Sequence, residues 1–436
     1  MTGHPLKFPN PYTKTSTCLE SLDHDGSARI VESFNASGRP KPSTPLVNKM
    51  SEQHTKNQPM NEFPLLDPSE GVPLFYPFVP KEAIAEVTDT LSGRWIGQGP
   101  KVDRFEKAFE EKFLGDYKAL AVGSGTDALH LAYLLAGVEA GDEVIAPVFT
   151  CTATNIPLLY IGAKVVFADI DPETMNISIE DVRRRITSKT KAIVCVDYGG
   201  VPCDYDALQA LCKEHGLKLI ADAAHSIGSK YKGRYSGTLA DFTIFSFQAI
   251  KTLTMGDGGM LVIKDASLLE KAKRLRWFGI DRSAKQGGIW SNDIVEVGYK
   301  YQMTDIGASI GLVGLQKIDG VIKARNDLFK VYEAELKTPR VRLVGSSEGP
   351  DHFTCAWLLT IVVDKGRVEL MQKLRDHGIE SGQVHYRNDR YSVLGGRRND
   401  LPFMDAIEDN YLVLPLHPMV QATDVKQICA LINEGW

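Results

Sequence analysis

Cysteine is scarce in this chain, and its spacing pairs nothing. The 436 residues hold seven cysteines, Cys18, Cys151, Cys195, Cys203, Cys212, Cys355 and Cys429, an odd number without a CxxC pair. That pattern argues against a disulfide scaffold or a structural zinc, and for reduced thiols in a cytoplasmic protein; no metal site is expected. Long apolar runs are missing too, so nothing in the sequence reads as a bilayer span. The first residues lack the basic-then-apolar order of a secretion signal. Neither sign of charge dominates. A net charge of -5 gives no reason to expect a nucleic-acid or anionic-membrane partner. What is present, 43% hydrophobic and 24% charged residues, suits a globular protein with chain enough for two domains.

The beginning differs from the rest. Residues 1–62 are rich in Ser, Thr, Pro, Asn and Lys, as in Arg39-Pro40-Lys41-Pro42-Ser43-Thr44-Pro45. Such a stretch cannot bury enough surface to offset its ordering entropy. It reads as a disordered extension, or as an arm that orders on a partner. From Tyr117 onward, Val/Ile/Leu-rich runs alternate with helical patterns: 117–122, 143–147, 164–169, 191–196 and 218–222 as strands, with helices near 126–137, 152–161, 179–186 and 205–215. Continuous apolar strands between amphipathic helices predict an α/β fold, a largely parallel sheet covered on both faces. The run Ala356 to Val363, a helix over 368–377 and a terminal helix from Thr423 predict a smaller C-terminal α/β domain. The expected division is 63–315 for the large domain and 316–436 for the small one.

Between the strand-like Asp241 to Phe247 and Met260 to Ile263 lies Gln248-Ala249-Ile250-Lys251, followed by the turn Gly256-Asp257-Gly258-Gly259. A lysine pressed into apolar surroundings loses solvation and becomes a neutral amine able to attack a carbonyl. The bland alternative is a surface lysine beside a hairpin. In open α/β sheets ligands bind at the carboxyl ends of strands, so the residues that follow each strand matter most. Gly123-Ser124-Gly125-Thr126-Asp127-Ala128 opens a helix after one of them, and glycines with free helix-start N–H groups suit a phosphate. A dinucleotide fingerprint would want an acid at the end of the next strand, whereas Glu143 stands at its start. An ordinary capped helix is the other reading. Asp222 ends a buried-looking strand, where a carboxylate either caps a turn or keeps a heterocyclic nitrogen protonated. A lysine amine, a carboxylate for a pyridinium and a phosphate cup are together the parts that pyridoxal 5'-phosphate (PLP) chemistry uses.

Gly125-Thr126-Asp127-Ala128-Leu129, Asp222-Ala223-Ala224-His225, Ser246-Phe247-x-x-x-Lys251 and Gly256-Asp257-Gly258-Gly259 resemble the DegT/StrS-type PLP-dependent sugar aminotransferases. Gly97-Gln98-Gly99-Pro100, Val384-His385-Tyr386 and Leu414-Pro415-Leu416-His417-Pro418 extend the resemblance from about Pro73 to the C-terminus. The Phe-Gln-Ala-Ile-Lys and Val-His-Tyr-Arg-Asn-Asp runs are most similar to the GDP-perosamine synthase branch. The resemblance implies PLP-dependent transferase fold type I with a mostly parallel, seven-stranded sheet, and a homodimer with shared active sites. By the same resemblance Lys251 is the Schiff-base residue, Asp222 pairs with the pyridinium nitrogen, and His225 contacts the cofactor's phenolic oxygen. Gly125, Thr126 and Ser246 hold the phosphate, and His385 and Tyr386 lie near the sugar.

Three positions depart from the family's pattern. Cys151 stands where an aromatic ring commonly covers the cofactor, so that a small thiol fills the place or Phe149 leans across. Lys300 replaces the asparagine that reaches the partner subunit's phosphate, and could do so with a full charge. Phe278-Gly279 replaces a His-Gly pair. The implied activity is transfer of an amino group from glutamate to a nucleotide-linked 4-keto-6-deoxy sugar, for polysaccharide or natural-product biosynthesis. A PLP-dependent sugar dehydratase is the first rival, although such relatives often carry histidine where Lys251 stands. A non-catalytic regulator that keeps the fold is the second, and a nicotinamide oxidoreductase comes last.

Overall fold

A computed structural model describes residues 71–282, 293–294 and 296–436. The extension expected over 1–62 lies outside them. Seven short apolar runs become strands: β1 (Lys118–Val122), β2 (Glu143–Pro147), β3 (Lys164–Ala168), β4 (Thr190–Val196), β5 (Lys218–Asp222), β6 (Phe242–Ser246) and β7 (Gly259–Ile263). They form one sheet in the order β1-β7-β6-β5-β4-β2-β3. The pairs β2/β3, β2/β4, β4/β5 and β5/β6 are parallel, while β7 runs antiparallel to both β6 and β1. The reversal has a local cause. No helix lies between β6 and β7 to carry the chain back over the sheet, so the glycine-rich turn returns it alongside.

Alternation along the strands feeds apolar cores on both faces. Leu120 and Val122 of β1 pack into one core with Leu129, Leu131 and Tyr133 of the helix Gly125–Leu135, while Ala119 and Ala121 face another with Phe105, Phe109 and Phe245. Short polar side chains fix where the helices begin. Ser124, Ser178 and Asp204 each accept from the backbone N–H three residues on, satisfying a donor that the first turn leaves free.

The helix Asp305–Glu335 is the longest described element. Its residues Leu315, Ile318 and Ile322 enter the large core, and Leu328, Phe329 and Tyr332 enter a second core beyond it. The boundary expected at 315/316 therefore falls inside a helix that serves both. The second core lies under the antiparallel strands Val341–Leu343, Leu359–Val363 and Tyr411–Leu414 and the helices Arg367–Asp376 and Ala422–Asn433. The strand expected from Ala356 starts only at Leu359. Ala356 takes a left-handed φ of 54°, and the N–H groups of Trp357 and Leu358 both turn to the Gly199 carbonyl at 2.9 and 3.2 Å.

One buried ion pair holds the C-terminal segment that faces the sheet edge. Arg387 grips Asp389 through Nε at 2.6 Å and Nη2 at 2.7 Å, and both side chains are fully enclosed. Asp405 and Glu408 share its Nη1. Truncating such a cation leaves a buried carboxylate alone, which costs about 3–5 kcal/mol. Arg387→Met should therefore lower the unfolding free energy by about that amount in urea titrations, whereas Arg340→Met at the exposed pair with Asp364 should change it by less than about 1 kcal/mol.

Candidate active site

Register brings the phosphate-cup residues together. Val122 pairs with Gly259 and Gly259 with Ser246, so the ends of β1 and β6 meet across the start of β7. The approach is close enough to exclude a side chain at Gly259 and to crowd one at Gly125. A Cβ on Gly259 would lie 2.3 Å from the Ser124 carbonyl oxygen, and one on Gly125 would lie 3.0 Å from the Ser246 Cβ and 3.4 Å from its Oγ. Gly125 and Thr126 form the first turn of a helix, where their N–H groups have no acceptor within the helix. A cradle lined by helix-start donors and the Ser246 hydroxyl suits a phosphate.

Asp222 ends β5 on the same edge. Its Oδ2 accepts from Thr154 Oγ1 at 2.7 Å, and its Oδ1 from the Ala224 N–H at 3.1 Å. Since the Thr154 hydroxyl donates to the carboxylate, the Thr150 hydroxyl donates in the 2.8 Å contact between the two threonines. Burial pushes the Asp222 carboxyl up, against those hydrogen bonds and the nearby Lys251. The group is thus costly to keep charged alone and ready for a cationic partner.

Lys251 is half-buried, and its amine is enclosed. Desolvation holds the amine down to about 8, with Cys151, Asp222 and Cys355 pulling the other way. The Nζ lies 3.5 Å from the ring centroid of Trp357. The His225 ring stacks on that indole at 3.8 Å, and the His385 ring lies parallel to His225, tilted by 5°, with the two Nε2 atoms 3.3 Å apart. Burial, then the Lys251 charge, pushes both imidazoles down, His385 to about 3, so the pair is neutral at pH 7. One Nε2 therefore donates to the other. The His225 Nδ1 is buried without a partner.

The remaining candidates are placed less uniformly. Cys151 is half-buried at the start of the helix Thr152–Ile161 and acts on the Lys251 amine. Phe149 does not lean across the cofactor place. It is buried against Tyr198 and Tyr411, at centroid separations of 5.0 and 5.1 Å. Tyr386 is half-buried and pairs with Thr150. His385 holds a strained φ of 66°, and its carbonyl accepts from the Tyr411 hydroxyl at 2.7 Å. Lys300 comes just before Tyr301, whose carbonyl accepts from the Gly123 N–H at 2.8 Å. Lys300 is exposed, with its Nζ stacked 3.7 Å from the Trp277 ring centroid. Glu143 pairs with Lys164 and Thr187 at the opposite ends of the strands, as its position in β2 requires. Thr154, Thr150 and Trp357 belong to the site although no motif marks them.

Residues 78–433 match the DegT/DnrJ/EryC1/StrS aminotransferase family. The chain belongs to that family. It is 35% identical over 369 residues to the GDP-perosamine synthase of Vibrio cholerae, spanning 83% of this chain and 98% of that one. The sugar aminotransferase CalS13 from Micromonospora echinospora superposes with a TM-score of 0.79 at 29% identity, over 84% of this chain and all of that structure. The putative sugar aminotransferase Spr1654 from Streptococcus pneumoniae, in its PLP form, gives a TM-score of 0.77 at 30% identity over 84% and 98%. The fold is that of fold-type I aminotransferases, and the family is one of PLP-dependent sugar aminotransferases. The residues here fit that cofactor: an orphaned His225 nitrogen, a cradle that a Cβ at Gly125 would crowd, a buried carboxyl and an enclosed amine.

The low basicity of Lys251 has a consequence without any cofactor. Between pH 8 and 10.5 the unfolded chain holds a proton on this residue that the folded chain has released, so its contribution to stability rises with pH across that window. In cofactor-free protein, Lys251→Met should be more stable than the parent at pH 7, by on the order of 3 kcal/mol. The gain should shrink towards pH 10.5, as measured by denaturant unfolding.

Proposed function

We propose that this chain transfers an amino group from glutamate to the keto group of a nucleotide-linked 4-keto-6-deoxy sugar, as a cytoplasmic homodimer with shared active sites. The observation that carries the proposal is the desolvated Lys251 amine beside Asp222 on the edge that also bears the Gly125–Ser246 cradle. A lysine at 251 favours amino transfer over sugar dehydration. The name of the Vibrio cholerae relative, a GDP-perosamine synthase, supports a nucleotide-sugar substrate.

PLP, when bound, supplies an aldehyde that condenses with amines and a ring that takes up electrons from the substrate carbon. The chain's own residues do the rest. The N–H groups of Gly125 and Thr126 and the Ser246 hydroxyl bind phosphate at the helix start. Asp222, held by Thr154 and the Ala224 N–H, pairs with the pyridinium N–H. His225, neutral and with a free Nδ1, offers that atom to the phenolic oxygen. With PLP bound, Lys251 would take a proton from the donor's carbon onto Nζ and deliver it to the carbon that the cofactor's aldehyde supplies, a task suited to an amine held near 8. His385 and Tyr386 face the sugar side, and Cys151 occupies the place of a covering ring. Lys300, exposed and stacked on Trp277, is the residue that reaches the phosphate in the partner subunit.

Purified protein should absorb in the visible and lose that band on adding glutamate, and amination should appear in the product mass as a gained nitrogen. Lys251→Ala should lower turnover by at least about a thousandfold; a variant with near-parent turnover would refute the assignment. Lys300→Ala should weaken PLP retention about tenfold, the loss of one charge-assisted hydrogen bond, while kcat at saturating PLP holds. Unchanged PLP affinity in equilibrium dialysis would remove Lys300 from the site.

A further inference from the structure

Trp357 carries three contacts that packing alone does not require. Its indole face lies under the Lys251 amine, 3.5 Å from centroid to Nζ. Its Nε1–H donates at 2.9 Å to the carbonyl of Ile250, the residue just before Lys251. The same ring carries the His225 imidazole at 3.8 Å and 27°. The indole itself is pinned. It is 1% exposed, its backbone N–H bonds to the Gly199 carbonyl, and Phe75 stacks beside it at 6.1 Å.

We propose that Trp357 is the positioning residue of this site: one rigid indole sets where the Lys251 amine sits, fixes the backbone that bears it, and holds His225 beside it. Its meaning for amino transfer rests on the function proposed above; the positioning itself does not. The face of an indole is electron-rich and attracts a cation, most strongly where water is excluded. Trp357 therefore offsets part of the desolvation that makes the Lys251 ammonium costly. It also keeps the flexible four-carbon stem aimed at one point, so the amine can leave and return without searching.

The electronic part can be tested without altering shape, by replacing the chain's five tryptophans with mono-, di- and trifluorotryptophan. Fluorine withdraws density from the ring face and leaves packing and the N–H donor in place. In cofactor-free protein, the pH dependence of acylation at Lys251, read by peptide mass spectrometry, should give a midpoint near 8 for the parent. That midpoint should fall with each added fluorine, by about half a unit to one unit overall. In a Trp357→Phe background the series should be flat; should that variant fail to accumulate, Trp357→Tyr replaces it. A midpoint indifferent to fluorine, or one that moves equally without Trp357, overturns the proposal. Failure of the glutamate response with an intact fluorine series would sink the proposed function and leave the positioning role standing.

Discussion

Enclosing an amine is the constraint from which this site follows. A lysine taken out of water resists carrying its charge, and the fold must hold it there against its own flexibility. Three neighbours answer that demand from different directions. Trp357 presents a ring face, Asp222 a carboxylate, and the Ile250 carbonyl, tied to the indole, fixes the backbone. The two stacked imidazoles are held neutral first by burial and then by the Lys251 charge, which disfavours a second cation in the same enclosure. Each group depresses or raises its neighbour, so the cluster is set as a unit.

That enclosure is built on backbone proximity. The strand ends at Val122, Gly259 and Ser246 are in register; a methyl group at Gly259 would collide with the Ser124 carbonyl, and one at Gly125 would crowd the Ser246 Cβ at 3.0 Å. The short return from β6 to β7 places Lys251 over the same edge at which Asp222 ends β5. The parallel strands contribute their carboxyl ends, and the antiparallel strand contributes the turn. Arg387, bound to Asp389, secures the C-terminal segment that brings His385 and Tyr386 to this edge.

Much of this was readable from the residues. Alternating apolar strands and capped helices predict the strand positions to within about one residue, because most residues of these strands are buried. Asp222, Lys251 and the Gly125 cup were found because chemistry at strand ends needs particular residue types. The long helix Asp305–Glu335 is not legible in the sequence because Gly307, Gly311, Gly314 and Gly320 interrupt its pattern. At Gly311 and Gly314 a Cβ would meet Met255 and Leu253 at 2.3 and 2.5 Å, so packing, not propensity, placed those two glycines. Trp357 was hidden inside an apolar run that resembled a strand, and only the left-handed turn at Ala356 directs it into the site. The sequence leaves two positions open for the Phe149 ring, and the core contacts with Tyr198 and Tyr411 hold it in one of them.

The chemistry proposed for this site depends on which amine meets the cofactor. Borohydride reduction of the protein saturated with PLP, followed by peptide mass mapping, fixes that bond irreversibly where it forms. A phosphopyridoxyl group on Lys251 and on no other lysine is the predicted result. Labelling that falls elsewhere, or that spreads over the surface lysines while the Lys251 peptide stays unmodified, would contradict it.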